Sequence, residues 1–407
     1  MKALFSLAWR NIWRNKRRSL ITMSSVMFSV FLAILFLSME HGTYERMIDS
    51  MVRYSTGYIQ VQDIMYEEEP SMDHSMLLDD HVMRAIENEA RDIDYIVPRI
   101  EHFALASSGS ISRGSLLLGI DPEAEALLND LTDRMLMGEF ILQADPDIVV
   151  AEGLADLLRV EAGDSIVLLS QGYQGITAAG IYHVKGIISH NIPELNNTVI
   201  YMSMESAQWF FGAEDRVTSL IVMPQDPSQT DRIAGNIADQ LDKEWYRVLT
   251  WEEMLADLLT LMQFDMAGTM VLLAILYIVI AFGLFGTVLT MLMERRKEFG
   301  MLLALGMKRN QLSMICFTET LLISLAGALA GILLAIPVIT YFYHFPIELS
   351  GNMAEALVDY GFEPILPLSS DPGIFIKQAR IILIISLCIG LYPIYSIFRL
   401  DMMKARQ

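Results

Sequence analysis

The chain has 407 residues, of which 53% are hydrophobic, and it carries a formal net charge of −20. Its mean hydropathy is +0.39; a soluble domain this acidic is seldom so apolar, and a membrane protein this apolar is seldom so acidic. The two properties must lie in different stretches, which excludes a uniform soluble domain, and no nucleic-acid partner is expected.

Four long apolar runs predict a membrane protein. Residues 19–39 contain 21 residues without a charge, enough to cross a hydrocarbon core about 30 Å thick. We interpret this run as an uncleaved signal anchor, because no small-x-small cleavage site follows it. Further spans are predicted at 266–293, 312–343 and 374–398, and the third contains one ionisable residue, Glu319.

The charges beside these spans predict the topology. Residues 1–18 hold six basic side chains and no acidic one, and the segments 294–311 and 399–407 are also net basic. Residues 40–265, in contrast, carry 40 acidic and 13 basic side chains, and the loop 344–373 has five acidic and no basic ones. The positive-inside rule therefore places both termini and 294–311 in the cytoplasm. The acidity of the outer part is interpreted mainly as a source of solubility, with steering of a cationic partner as the alternative.

Residues 40–265 are predicted to form a mixed α/β domain. Helical patterns cover Asp79–Ala90 and Glu152–Arg159, and Ser228–Lys243 is predicted as the helix of a βαβ unit. A last helix, Trp251–Phe264, is expected to run into the second span. The β-prone runs, bounded by Gly, Pro, Asp or Asn, are Tyr58–Gln62, Leu116–Ile120, Ile148–Val150, Ser165–Leu169, Tyr182–Ile188, Val199–Met202, Ser219–Met223 and Tyr246–Thr250.

Motifs for independent catalysis are missing from the sequence. No lysine follows a glycine, so a P-loop of the form GxxxxGK[ST] is excluded. Neither GxSxG nor HExxH occurs, and the seven histidines lack metal-ligand spacing. The chain is therefore predicted to be no enzyme and to bind no cofactor or metal of its own.

Four motifs, in order along the chain, resemble one family. Residues 294–306 (ERRKEFGMLLALG) resemble the ERR-x-E-[IF]-G-x-x-x-A-L-G signature of the FtsX-like permeases. The basic start at 7–18, Glu319 followed by the small residues 327–331, and YPIYSIFRLD at 392–401 are similar to other family features. These permeases are membrane subunits of ABC transporters and include MacB-type and Lol-type lipoprotein-releasing systems. The implied fold is four transmembrane helices with a large α/β extracytoplasmic domain between the first and second.

The resemblance also implies roles for particular residues. The segment 294–311 would be the coupling segment that docks on a separate ATPase, and an interfacial anchor is the alternative. Glu319 would be costly to expose to lipid, so it either pairs with Arg295 or Arg296 or takes part in coupling. Gly327 and Gly331 are expected to permit close helix packing. The coupling residues are Glu294, Arg295, Arg296, Glu298, Phe299, Gly300, Leu303 and Gly306.

Among the branches of the family, the Lol permeases are the most similar. They share four spans and a separate ATPase, and residues 118–121 and 148–168 resemble stretches of their periplasmic domain. The implied protein is a multi-pass subunit of the bacterial inner membrane that extracts lipoproteins from the outer leaflet. Met27, Phe28, Phe31, Phe282 and Phe285 are candidates for lining a lipid entry, with ordinary packing as the alternative.

The implied partners follow from this assignment. They are a cytoplasmic ABC ATPase that handles ATP and Mg²⁺, a second permease copy or homologue, and a lipidated substrate; a periplasmic acceptor chaperone or adaptor is a further candidate. Two other functions stay open. One is a MacB-like split exporter of peptides or other amphiphiles, and the other is an FtsX-like mechanotransmitter that moves no substrate.

Overall fold

The computed structural model describes residues 2–14, 16–129, 131–190, 192–351, 354 and 365–399. The chain divides into two units. The helical unit comprises residues 1–46, 261–348 and 366–407, and the α/β unit comprises residues 47–260 and 349–365. Of the predicted cytoplasmic tail, 399–407, only residue 399 lies within the described residues.

The helices of the described residues include four that are much longer than the rest. In chain order they are α1 (Lys2–Arg14), α2 (Lys16–Met51), α3 (Asp80–Glu87), α4 (Pro122–Leu128), α5 (Glu152–Leu158), α6 (Pro193–Thr198), α7 (Met204–Phe211), α8 (Thr230–Gln240), α9 (Trp251–Met254), α10 (Ala256–Glu294), α11 (Arg296–Ala304), α12 (Arg309–His344) and α13 (Pro372–Phe398).

The strands fall mostly between α2 and α9. They are β1 (Ile59–Asp63), β2 (Met76–Leu77), β3 (Ile93–Ser108), β4 (Ile111–Ile120), β5 (Met135–Gly138), β6 (Ile148–Ala151), β7 (Ser165–Gln171), β8 (Thr177–Ile188), β9 (Val199–Ser203), β10 (Arg216–Val217), β11 (Ser219–Pro224), β12 (Tyr246–Thr250), β13 (Ile347–Glu348) and β14 (Ile365–Leu366).

The α/β unit is built on one mixed sheet with the strand order β12-β1-β11-β3-β4-β9-β6-β8-β5, and β7 pairs with β3 and β8. The β4–β9 and β6–β8 pairs are parallel. Strands β11 and β12 both run antiparallel to β1, which lies between them. The predicted βαβ unit is therefore present with α8 as its crossover, but a third strand is inserted between its two strands.

Two clusters of apolar side chains form most of the core of the α/β unit. Helices α3 and α8 supply Ile86, Ile233 and Ile237 to the cluster on β1 and β11. Helices α5 and α7 supply residues such as Leu154 and Phe211 to the cluster on β3, β4, β7 and β8. Their apolar residues recur at helical spacing, so one face of each helix is buried against the sheet.

The helical unit contains α2, α10, α12 and α13, which are the helices long and apolar enough to cross a membrane among the described residues. Val30 and Ile34 of α2 pack in one cluster with Ile280 of α10, Ala335 of α12 and Ile382 of α13. With the α/β unit between the first and second of these helices in the chain, the predicted fold class is confirmed.

The predicted helix over Trp251–Phe264 is interrupted. A capping box between Thr250 and Glu253 begins α9, and α9 ends at Leu255, whose backbone angles (φ −101°, ψ 22°) lie outside the helical region. Helix α10 begins at the next residue. The expectation of one unbroken helix into the second span was therefore wrong.

Candidate functional site

The segment between α10 and α12 is a short helix with a defined end. Arg295 interrupts the preceding helix, and α11 begins at Arg296. At its other end Gly306 N–H bonds to the Leu303 carbonyl and Met307 N–H bonds to the Leu302 carbonyl, the pair of bonds found in a Schellman motif. Gly306 has a φ of +98°, a conformation that favours glycine. Gly306 therefore ends the helix.

One face of α11 is packed inward. Phe299 is fully buried in a cluster with residues of α10, α12 and α13, and Leu303 packs against the same cluster. The guanidinium of Arg295 lies 5.2 Å from the centroid of the Phe299 ring. Gly300 is half-buried within α11. Phe299, which is fully buried, and Leu303, which is partly buried, thus attach α11 to the long helices.

Glu319 forms an ion pair inside the helical unit. Its Oε2 lies 3.0 Å from Nη1 of Arg295, and the two residues are only 2% and 7% exposed. Arg296, the other partner considered from the sequence, is exposed. Because a buried carboxylate is costly without partners, the Arg295 guanidinium offsets much of the cost of burying Glu319. Asn11 and Arg18 also interact with this carboxylate.

The two carboxylates of the coupling segment are also paired within the chain. Arg14 Nη2 lies 2.6 Å from Glu298 Oε2, and Arg18 forms an ion pair with Glu294. Partial burial opposes ionisation of Glu298, but hydrogen bonds from Arg14 and Arg295 outweigh it and hold the pKa of this carboxyl below its usual range. Glu294 and Glu298 therefore connect the α11 segment to α1 and α2.

The exposed face of the α11 segment carries an apolar pair: Leu305, one of the apolar residues by which the sequence predicts an amphipathic helix, and Met301, which we did not single out in the sequence. Met301 is 60% exposed and Leu305 is 79% exposed. The four-residue spacing places them on the same side of the segment, next to the exposed Arg296 and Lys297. The sequence contained a signal for this exposed surface. All five residues of Met301–Leu305 are apolar, and only some of them can face inward on one helix.

Gly327 and Gly331 lie where α12 approaches α2 most closely. A Cβ atom on Gly327 would lie 2.8 Å from the Met23 carbonyl oxygen, and one on Gly331 would lie 2.6 Å from the Met27 carbonyl oxygen. Both distances are shorter than a carbon–oxygen contact allows. Glycine is therefore required for the packing of these two helices.

The five candidate lipid-entry residues have different surroundings. Phe28 and Phe282 are exposed, with Phe282 at 71%. Phe31 packs against the core of the helical unit, and Met27 is half-buried. Phe285 makes an edge-to-face contact with Tyr392 of α13, with ring centroids 4.8 Å apart. Exposed apolar side chains on long apolar helices are expected to contact lipid, so this geometry does not by itself mark an entry.

Comparison with known proteins identifies two matching family models. The MacB-like periplasmic core domain matches residues 19–240, and the FtsX-like permease C-terminal model matches residues 270–402. Together they extend from α2 to the residues that follow α13.

Named relatives match over most of the chain. The lipoprotein-releasing system transmembrane protein LolC of Neisseria meningitidis serogroup B is 22% identical over 77% of this chain and 77% of its own length. The pyoverdine export ATP-binding/permease protein PvdT of Pseudomonas syringae pv. syringae is 22% identical over 81% of this chain and 50% of its own. The extracellular domain of the ABC-type transporter YknZ, from Gram-positive bacteria, aligns with 48% of this chain and with its own full length, at 13% identity and a TM-score of 0.36.

Proposed function

We propose that this chain extracts lipoproteins or similar lipidated amphiphiles from a membrane. The premise is its family: it belongs to the ABC transporter permeases with a MacB-like periplasmic core domain and an FtsX-like C-terminal region. ATP hydrolysis by a separate subunit would supply the energy. The membrane would be the bacterial inner membrane, with both termini in the cytoplasm and the α/β unit in the periplasm.

The observation that carries this proposal is the extent of the match to LolC. The two chains cover 77% of each other, whereas this chain covers only half of PvdT, whose name includes an ATP-binding function. The sequence also contains no P-loop. The chain thus has the extent of a permease subunit, and ATP and Mg²⁺ would bind to a partner ATPase.

Helix α11 is the proposed contact with that ATPase. Its buried face and ion pairs fix it to α1, α2 and α12, so a displacement of α11 would move those helices with it. The exposed Met301 and Leu305 provide an apolar surface of the kind that forms the centre of an interface. Four spanning helices are too few to enclose a pathway, so a second permease copy or homologue would complete the transporter.

Placing charge on this apolar surface tests the ATPase contact. The double variant Met301→Glu/Leu305→Glu is expected to lose at least tenfold of the ATPase that co-purifies with the chain, because a desolvated carboxylate is costly at an interface. Leu127→Glu/Leu142→Glu adds the same two charges at exposed apolar positions of the α/β unit. This matched control should retain the partner. Undiminished co-purification of the double variant would contradict the assignment of α11.

Depletion of the protein tests the cargo. Acylated proteins are expected to accumulate in the inner membrane within a few generations, as measured by membrane fractionation and labelling with a radioactive fatty acid. Re-expression of the wild-type chain should restore their distribution, and the Met301→Glu/Leu305→Glu variant should not. An unchanged distribution of acylated proteins would exclude lipoprotein extraction.

Export of another amphiphile is the second candidate, favoured by the match to PvdT over 81% of this chain. Such an exporter would work with a periplasmic adaptor. Co-purification of an adaptor, together with normal sorting of acylated proteins in depleted cells, would support export instead of lipoprotein extraction.

A further inference from the structure

A cavity of about 310 Å³ lies between α10 and α13, at the end of the helical unit where α11 begins. One part of its wall is apolar and the other part is cationic. Leu289, Leu292 and Met293 of α10 supply apolar surface. Arg296 and Arg399 supply two guanidinium groups. The cavity therefore combines a cationic part with an apolar one.

The two arginines differ from the other arginines discussed above. Arg14, Arg18 and Arg295 each form an ion pair with a glutamate. Among the residues that the structure describes, Arg296 and Arg399 form no such pair with a carboxylate. Two positive charges that line one cavity repel each other unless an anion lies between them, so the site is suited to an anion from outside the chain.

Aromatic side chains determine where one of these charges lies. The Arg399 guanidinium lies 4.7 Å from the centroid of the Tyr395 ring, within the range of a cation–π interaction. Tyr392, which also lines the cavity, is packed against Phe285 of α10. Tyrosine is enriched at the boundary between hydrocarbon and headgroups. Tyr392, Tyr395 and Ser396, which line the cavity, are residues whose hydroxyls can donate hydrogen bonds.

We propose that this cavity binds an anionic phospholipid of the leaflet on the α11 side. The headgroup phosphate would lie between Arg296 and Arg399, since guanidinium groups bind phosphate oxygens in a bidentate manner. An acyl chain would lie along Leu289, Leu292 and Met293. Basic pockets between membrane helices are suited to acidic headgroups. The site is independent of the cargo, and because Arg296 is the first residue of α11, the bound lipid would contact the coupling segment directly.

Native mass spectrometry of the full-length chain, released from detergent in the presence of phosphatidylglycerol, tests this site. The wild-type chain should retain one phosphatidylglycerol in preference to phosphatidylcholine. Arg296→Gln/Arg399→Gln should weaken retention by about 30-fold, on the basis of about 1 kcal/mol for each basic residue. The matched control, Arg17→Gln/Lys297→Gln, removes two exposed charges outside the cavity and should bind as the wild type does.

Three results would overturn the proposal. Equal losses in the two double variants would mean that general charge attraction causes binding, and equal retention of phosphatidylcholine would mean that the arginines do not select the lipid. Competition by inorganic phosphate at the same concentration as phosphatidylglycerol would identify a free-phosphate site. Arg296→Lys/Arg399→Lys keeps both charges, so retention within about fivefold of the wild type is expected, which separates loss of the site from loss of the fold.

Discussion

Replacing Glu319 with leucine is expected to destabilise the helical unit by about 3–5 kcal/mol, the range found when one partner of a buried ion pair is removed. Arg295, at 7% exposure, would then lose the carboxylate that lies 3.0 Å from its Nη1 and keep only the more exposed Glu298, 3.2 Å from its Nε. Since Arg295 also lies against Phe299, its relaxation towards water would displace α11. We therefore expect the variant to lose ATPase coupling as well as stability.

Cys316 provides a local measurement of this destabilisation. It is buried and lies one turn before Glu319, while the other cysteine, Cys388, is exposed. In a Cys388→Ser background, the rate at which a thiol reagent labels Cys316 reports opening of this part of the unit. The Glu319→Leu variant is expected to be labelled at least 100-fold faster, which corresponds to about 3 kcal/mol.

Two controls separate the buried charge from other causes. Arg295→Met/Glu319→Leu removes both charges and should recover most of the loss, because an apolar pair can replace a buried ion pair at little cost. Glu294→Gln disrupts the more exposed pair with Arg18 and should change labelling less than about fivefold. If Cys316 were labelled at the same rate in Glu319→Leu as in the parent, the ion pair would be dispensable for the stability of the helical unit.

The membrane helices were predictable because their signal is local. A long run of uncharged residues can be recognised without knowledge of any distant contact. The ends of these helices were not predictable in the same way. The predicted span 19–39 lies within a longer helix, Lys16–Met51. Charged and polar residues at both ends continue the helix, and hydropathy does not register them.

The strand that carries the longest ladder of the sheet was missed. β3 contains Pro98, Arg99, Glu101 and His102 within its length, which breaks the apolar alternation by which strands are recognised. The Arg99 side chain is tolerated there because Glu125, which is distant in sequence, accepts hydrogen bonds from its guanidinium. A pattern read along the chain cannot anticipate partners of this kind.

The coupling segment shows the same limit. Its residues were identifiable from the ERR signature, but we predicted from the sequence that Glu294 and Glu298 contact the ATPase. In the structure they pair with Arg18 and Arg14, more than 270 residues earlier in the chain. The two glutamate side chains are still 56% and 44% exposed, so the ATPase contact stays a prediction. An ion pair so distant in sequence depends on how α1 and α2 pack in the helical unit. The charge pattern alone could not distinguish an internal ion pair from an external one.

Replacing Glu125 with glutamine is expected to destabilise the α/β unit by about 3–5 kcal/mol. Glu125 is fully buried, and Arg99 is 1% exposed. Arg99 donates two hydrogen bonds to the Glu125 carboxylate, at 3.0 and 2.5 Å, and a third to the Ser55 carbonyl at 2.7 Å. Glutamine has nearly the same volume, but it presents one N–H₂ group to a guanidinium that has only N–H donors to offer.

Arg99 does not deprotonate in proteins, so its charge would then face a neutral amide and keep only the longer contact with the Glu101 carboxylate, 3.4 Å from its Nη1. Unfolding of the full-length chain in urea measures the loss. It is followed by the fluorescence of Trp209, Trp245 and Trp251 of the α/β unit, with Trp9 and Trp13 replaced by phenylalanine. Arg232→Gln removes a partly exposed pair with Asp92 and should leave the urea midpoint close to that of the parent. If both variants unfolded at the same urea concentration as the parent, burial of the Arg99–Glu125 pair would contribute nothing to stability.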